Sequence, residues 1–241
     1  ANRGDAHPGT IKTVRGSVST TAGFSIIKYS GTGSDTTLGT GQTIPTGTNA
    51  LAMFRNIQGN DWHVGADIDG TIYGMELNNP TGHPSVSNAV SDFHSDSGTT
   101  LTISATGGVI SDDSKDYVAY IWKEIAGYSK IGTYTGNSTA NNFVYTGFRP
   151  AYLMVKRLDG TGEWYIFDST RDPHNVVLGY LRADQDNAEG SDVTSAAVDF
   201  CSNGFNLKVG SGTFNSSGQS MMFLSYAEQV GVPGESQALA R

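Results

Sequence analysis

Charge is scarce in this chain, and cysteine scarcer still. Asp, Glu, Lys and Arg together make up 16% of the 241 residues, below the usual quarter of a globular protein. The formal net charge of -8 leaves no cluster of Lys and Arg for a nucleic-acid backbone and no polybasic segment for an anionic membrane. Neither partner is expected. The lone Cys201 excludes an intrachain disulfide, and with it a small secreted scaffold held by staples; a small buried apolar thiol is its expected role.

No window approaches the ~20 apolar residues of a spanning helix, and the opening ANRGDAHPG lacks the apolar region of a signal peptide. The expectation is a soluble chain. Because its first residue is not Met, a processed chain or a piece of a longer polypeptide is expected.

Catalytic motifs are missing too. There is no Gly-x-Ser-x-Gly elbow, Cys201 has no local catalytic signature, and His7, His63, His83, His94 and His174 are scattered without HExxH spacing. The loop GTGSDTTLGTGQ lacks the spacing of a phosphate-binding loop. No catalytic residue, cofactor or committed metal site follows from these patterns.

What the chain has is glycine, 31 residues of it, set among Ser, Thr and Asn, with short apolar or alternating runs between turns. FSIIKYS, ALAMFRNI, DWHVGAD, TIYGMEL, TLTISA and DYVAYIWKE have the length and alternation of strands, cut by turns such as Gly59-Asn60. The second half repeats the order, with Asp159-Gly160 as a hairpin turn. GYSKIGTYTGNS at 127–138 echoes GFSIIKYSGTGS at 23–34 with one residue inserted, and MMFLSYAE echoes YVAYIWKE. Thr46-Gly47 is paired with Thr146-Gly147, Trp62 with Trp164, Phe93 with Phe200, Leu101 with Leu207 and Glu124 with Glu228. This is a tandem duplication of roughly 100 residues, too long for a solenoid period.

The expected fold is all-β: two tandem antiparallel β-sandwich, jelly-roll-like domains at 23–126 and 127–229, an extended arm or linker at 1–22 and a tail at 230–241. Only Ile125 and Ala126 separate the copies, which predicts a stiff joint. Arg3-Gly4-Asp5 matches an integrin-binding tripeptide, which three common residues produce by coincidence.

At GFSIIKYSGTGS, YVAYIWKEIAGYSKIGTYTGNS, FVYTGFRPAYLMVKR and the Trp164 strand, the sequence resembles a tandem repeat domain of structural proteins of marine tailed bacteriophages. The resemblance spans about residues 18–229, and in the first copy Ala50 to Asn56 stands where the family has a Lys-rich strand end. It implies a virion component on the particle surface, a tail fibre, spike or head decoration protein, and it carries over no catalytic residue. Other virion proteins and host-surface glycan are the implied partners, and homo-oligomerisation is expected by analogy with symmetric appendages.

Candidate contact residues for a glycan or partner are Trp62, Trp164, Asp67, Asp168, Asp184 and Asp186. For each tryptophan, a core anchor and an exposed sugar platform are both open. Asp67-Ile68-Asp69-Gly70 and Asp184-Gln185-Asp186-Asn187, with Glu189 and Asp192 following, offer oxygen ligands of the kind Ca²⁺ takes, though solvated turns give the same pattern. Asp67 and Asp168 are the pair a carbohydrate-active enzyme would use if two carboxyls met in a cleft. Arg149, Lys156, Arg157 and Arg171 form a basic group expected either on a solvated face or against an acidic partner.

Overall fold

The computed structural model describes residues 10–11, 15–59, 61–81, 90–105, 110–194, 196–210 and 214–228. The tripeptide at 3–5 and the tail at 230–241 lie outside them. The chain divides into two compact units, Ala1–Glu124 and Ile125–Arg241, each all-β and sandwich-like.

In unit 1 the strands are β1 (Arg15–Ser19), β2 (Phe24–Ser30), β3 (Thr36–Gly39), β4 (Ala50–Asn56), β5 (Trp62–Ile68), β6 (Thr71–Glu76), β7 (Val90–His94), β8 (Thr100–Ile103) and β9 (Asp116–Lys123). They form a six-stranded sheet in the order β1-β2-β9-β4-β5-β6 and a three-stranded sheet in the order β3-β8-β7, with every pairing antiparallel. The alternation in FSIIKYS is what makes β2 a half-buried strand: Ile27 and Tyr29 point into the core while Ile26 and Lys28 face out. Tyr117, Ala119 and Ile121 of β9 point the same way. Across from them lie Leu38, Val90, Phe93, Leu101 and Ile103 of the small sheet, in one buried cluster. Fully burying side chains of this size is worth about 1.5–3 kcal/mol each.

β2 lies beside β9 in one sheet and β3 beside β8 in the other, so the chain wraps as a jelly roll does. The last strand closes the unit by entering between β2 and β4.

Unit 2 repeats this order. Its strands are β10 (Ser129–Thr135), β11 (Asn142–Tyr145), β12 (Pro150–Arg157), β13 (Tyr165–Asp168), β14 (Gly179–Arg182), β15 (Gly190–Ser191), β16 (Val198–Cys201), β17 (Gly204–Leu207) and β18 (Ser220–Ala227). The sheets run β10-β18-β12-β13-β14-β15 and β11-β17-β16. Removing β1 from the first unit and β15 from the second leaves identical strand orders. Leu153, Val155, Phe167 and Phe223 face Val198, Phe200, Phe205 and Leu207 across the second core.

The same clamp closes both wraps. Tyr29 donates its hydroxyl to the carbonyl of Ile110 at 2.7 Å, and Tyr134 donates to the carbonyl of Phe214 at 2.7 Å. Two residues after each tyrosine stands a glycine, because the same loop crosses there: a Cβ on Gly31 would lie 2.1 Å from the carbonyl oxygen of Asp112, and one on Gly136 2.1 Å from that of Ser216. Burial pushes both phenols well above their ordinary range, so each remains a neutral donor.

Three expectations are corrected. Within the stretch expected as a free arm, β1 pairs with β2 from Arg15↔Lys28 to Ser19↔Phe24, and Ile11 is buried in the first core. Polar composition hid this strand, whose hold is main-chain pairing at a sheet edge. The counterpart of Thr146-Gly147 is Thr40-Gly41, not Thr46-Gly47. Thr40 N donates to Thr99 O as Thr146 N does to Asn203 O, both at 3.0 Å, and both glycines have left-handed φ, 69° and 86°. Residues 43–49 stand between Gln42 and Ala50, where the second unit has Arg149 alone, which misplaced the match. Register likewise pairs Leu101 with Phe205, and Ile103 with Leu207, while Phe93 and Phe200 do correspond.

Tyr134→Phe leaves a buried carbonyl without its donor and is expected to cost about 1–3 kcal/mol. Gly136→Ala, which forces the crossing loop away, is expected to cost more. Chemical denaturation measures both, and an unchanged midpoint for Gly136→Ala would remove the clamp from this account.

Candidate functional site

Around Trp164, unit 2 gathers its densest set of charged and aromatic side chains. Trp164 sits one residue ahead of β13 and is fully buried. Its main-chain N–H donates to Asp184 Oδ1 at 3.1 Å, tying the strand entry to the loop after β14. Lys156, at the end of β12, is also fully buried, with Nζ 5.8 Å from the centre of the Trp164 ring and donating to the carbonyl of Gly162. Burial pushes the Lys156 ammonium down to about 8, Asp184 pulling it up and Arg157 adding to the fall. Burial pushes the Asp184 carboxyl up, and its Oδ2 is enclosed without a hydrogen-bond partner.

Glu163 anchors the adjoining network. Its Oε2 accepts from the Tyr165 hydroxyl at 3.0 Å and lies 2.9 Å from Arg182 Nε, while Oε1 accepts from Gln185. The Arg182 guanidinium lies over Tyr165 and Tyr180, 5.5 and 5.3 Å from the ring centres. Planar guanidinium suits such stacking, and the carboxylate beside it balances the charge.

Unit 1 carries the same device in another form. Arg55 replaces Lys156, 5.7 Å from the centre of the Trp62 ring, and Asn78 replaces Asp184, its Oδ1 accepting from Trp62 N at 2.8 Å. Trp62 is only partly buried. It stacks with Tyr120 at 6.0 Å, Tyr120 with Trp122 at 6.3 Å, and Trp122 packs on Phe24 at 4.9 Å. These four rings, all partly exposed, make a row on the face of the six-stranded sheet turned away from the first core.

The carboxylates singled out from the sequence are separately engaged. Asp67 is buried, Oδ2 3.0 Å from His94 Nε2 and Oδ1 accepting from Gly70 N. His94 Nδ1 lies 3.0 Å from the carbonyl of Ile44, so both ring nitrogens face acceptors. Asp69 and Gly70 have φ of 53° and 80° and form a tight hairpin turn between β5 and β6. Asp168 accepts from Thr170 N and Arg171 N in the turn after β13. Asp186 is exposed in its loop, Glu189 pairs with Arg171 at 3.3 Å, and Asp192 accepts from Thr194. Among the described residues, no three His, Cys, Asp or Glu side chains converge as a metal would require. No described helix is long and apolar enough to cross a membrane.

Trp164, wholly enclosed, therefore cannot be a sugar platform, whereas Trp62 is partly exposed. Lys156 is not on a solvated face. Arg149, from the same group, pairs with Glu228 at 2.8 Å and donates to the carbonyl of Phe200. His94 is only one of five scattered histidines in the sequence, and Glu163 and Arg182 carry no motif, because the partners that mark them, Asp67 for His94 and Arg182 with Gln185 for Glu163, lie far along the chain. The one available signal was position, since His94 follows Phe93 as Cys201 follows Phe200.

With its folded value near 8, Lys156 loses its proton before the unfolded chain does, whose lysine titrates near 10.5. Between these values the unfolded state binds more protons, so stability rises with pH from this group. Lys156→Met removes that dependence. The stability of the variant relative to the native chain is expected to fall by about 1 kcal/mol per pH unit from pH 8 to 10, measured by urea denaturation at each pH; a constant difference would place the ammonium in solvent.

No curated protein and no solved structure matches the chain. A family model described as a domain of unknown function, DUF7483, matches residues 4–230 and so takes in both units. The chain belongs to the DUF7483 family.

Proposed function

We propose that the chain is a non-enzymatic structural protein of a bacteriophage virion, a surface appendage of tail-fibre or spike type that meets other virion proteins and host-surface glycan. The observation that carries this reading is how the two units spend their side chains. Asp67, Asp168, Asp184 and Glu163 are each committed to holding a turn, a strand entry or a neighbouring ring. The aromatic row Phe24, Trp122, Tyr120 and Trp62 instead stays partly open on a rigid sheet. Aromatic rings present large contact area at low conformational cost, which suits recognition of the apolar faces of sugar rings.

The repeat resemblance at GYSKIGTYTGNS and YTGFRPAYLMVKR supports a virion role, and the doubled sandwich suits a modular appendage. Asp67 and Asp168, proposed above as hydrolytic acids, are bonded within separate units, which favours binding over turnover.

Purified chain is expected to attach saturably to host cells and to compete with particles. Trp62→Ala should weaken attachment about tenfold, near 1.4 kcal/mol, in a chain that still unfolds cooperatively with only the modest loss of stability that removing a half-buried ring brings. Attachment indifferent to Trp62 would remove the aromatic row from this reading. Density at side-chain resolution in intact particles separates an appendage from a head decoration protein, and absence of the chain from particles would end the virion reading.

A further inference from the structure

β11 is the outer strand of the small sheet in unit 2. It carries Phe143 and Tyr145, 48% and 64% exposed. The Phe143 ring lies over β17, where a Cβ on Gly204 would be 2.8 Å from it. Thr146 N, just past the strand, bonds inward to Asn203 O. In an antiparallel ladder alternate residues bond to one side, so Phe143 and Tyr145 turn their main-chain N–H and C=O to the open edge.

Unit 1 shows what this edge accepts. There Thr37 takes the place of Phe143 and Gly39 that of Tyr145, by the registers Thr37↔Thr102 and Phe143↔Asn206. Thr10 N and Ile11 N donate to Thr37 O at 3.1 and 3.3 Å, and Thr37 N donates to Thr10 Oγ1 at 3.0 Å. A main-chain segment thus covers the edge, and the residues beneath it are small. In unit 2 the chain ahead of β10 is already spent as β9, so no matching segment precedes it. Among the described residues no strand pairs with the outer edge of β11, and aromatics stand there.

We propose that β11 pairs antiparallel with β11 of a second copy of this chain, about a two-fold axis at Val144. Phe143 of each copy then opposes Tyr145 of the other, exchanging main-chain hydrogen bonds and packing ring on ring. The joined small sheets become one sheet of six strands. Such an edge is self-complementary, as a two-fold contact must be, and opposed aromatic pairs are the stabilising unit of an antiparallel ladder. Pairing also removes an open, aromatic sheet edge from solvent. The inference stands on this edge and not on the virion reading; attachment through Trp62 is tested separately.

Sedimentation of the full chain is expected to show a concentration-dependent dimer. Phe143→Lys with Tyr145→Lys should yield monomer at every concentration, with the thermal unfolding of the native chain diluted to its monomer, since both side chains are exposed. In a Cys201→Ser background, a short bismaleimide should join Phe143→Cys to Tyr145→Cys chains in a mixture far more than it joins either variant to itself. A native chain that stays monomeric, a dimer that survives both lysines, or cross-linking without preference for the mixture would each overturn the pairing. Dimerisation that appears only when the chain is ended at Glu228 would assign the edge to residues 229–241 and overturn it as well.

Discussion

A buried phenol with one place to donate organises each half of this protein. Tyr29 and Tyr134 sit on the first core strand of their units, and each hydroxyl meets a carbonyl in the loop that leads to the last strand. Leaving such a donor unpaired in the interior costs about 1–3 kcal/mol, so strand and loop are held together across the whole length of the unit. The glycine two residues on lets the loop backbone pass at a distance no side chain permits. Once the loop is pinned, the last strand has one slot, between the first strand and the hairpin that begins at β4 or β12. The jelly-roll wrap follows from that closure.

On this shared frame the two units have spent one device differently. A cation over a tryptophan, with a side-chain oxygen receiving the tryptophan's main-chain N–H, appears in both. In unit 1 the set is Arg55, Trp62 and Asn78, partly open and continued by Tyr120, Trp122 and Phe24. In unit 2 it is Lys156, Trp164 and Asp184, with the first two fully enclosed. A neutral amide in one and a carboxylate in the other matches the cation's environment, because a fully buried ammonium needs a compensating charge nearby more than a partly solvated guanidinium does. Duplication preserved the geometry while burial changed its chemistry.

The duplication was legible because the clamp is local in sequence. Tyr-Ser-Gly and Tyr-Thr-Gly lie within single strands and their first turns, so the echo between 23–34 and 127–138 marks a real structural equivalence. Strands with clear alternation, such as FSIIKYS, were equally readable. RGSVS was not, since an edge strand held by main-chain bonds needs no apolar signature. The false match at Thr46-Gly47 arose from two common residues beside the extra segment 43–49; hydrogen bonding to the neighbouring strand, rather than residue identity, locates the true counterpart at Thr40-Gly41.

Strand period, turn residues and the internal echo mark an all-β chain, built twice from one plan, without the charge or the motifs of a nucleic-acid binder or a familiar hydrolase. Tertiary structure alone decided which side chains are enclosed and what they meet. Asp67 finds His94 27 residues away, and Trp164 finds Asp184 20 residues away. Lys156 looks in sequence like any strand-end lysine, yet it lies out of water over an indole. Strand period and turn chemistry are written in neighbouring residues; burial and pairing are set by contacts that exist only after the sheets have closed.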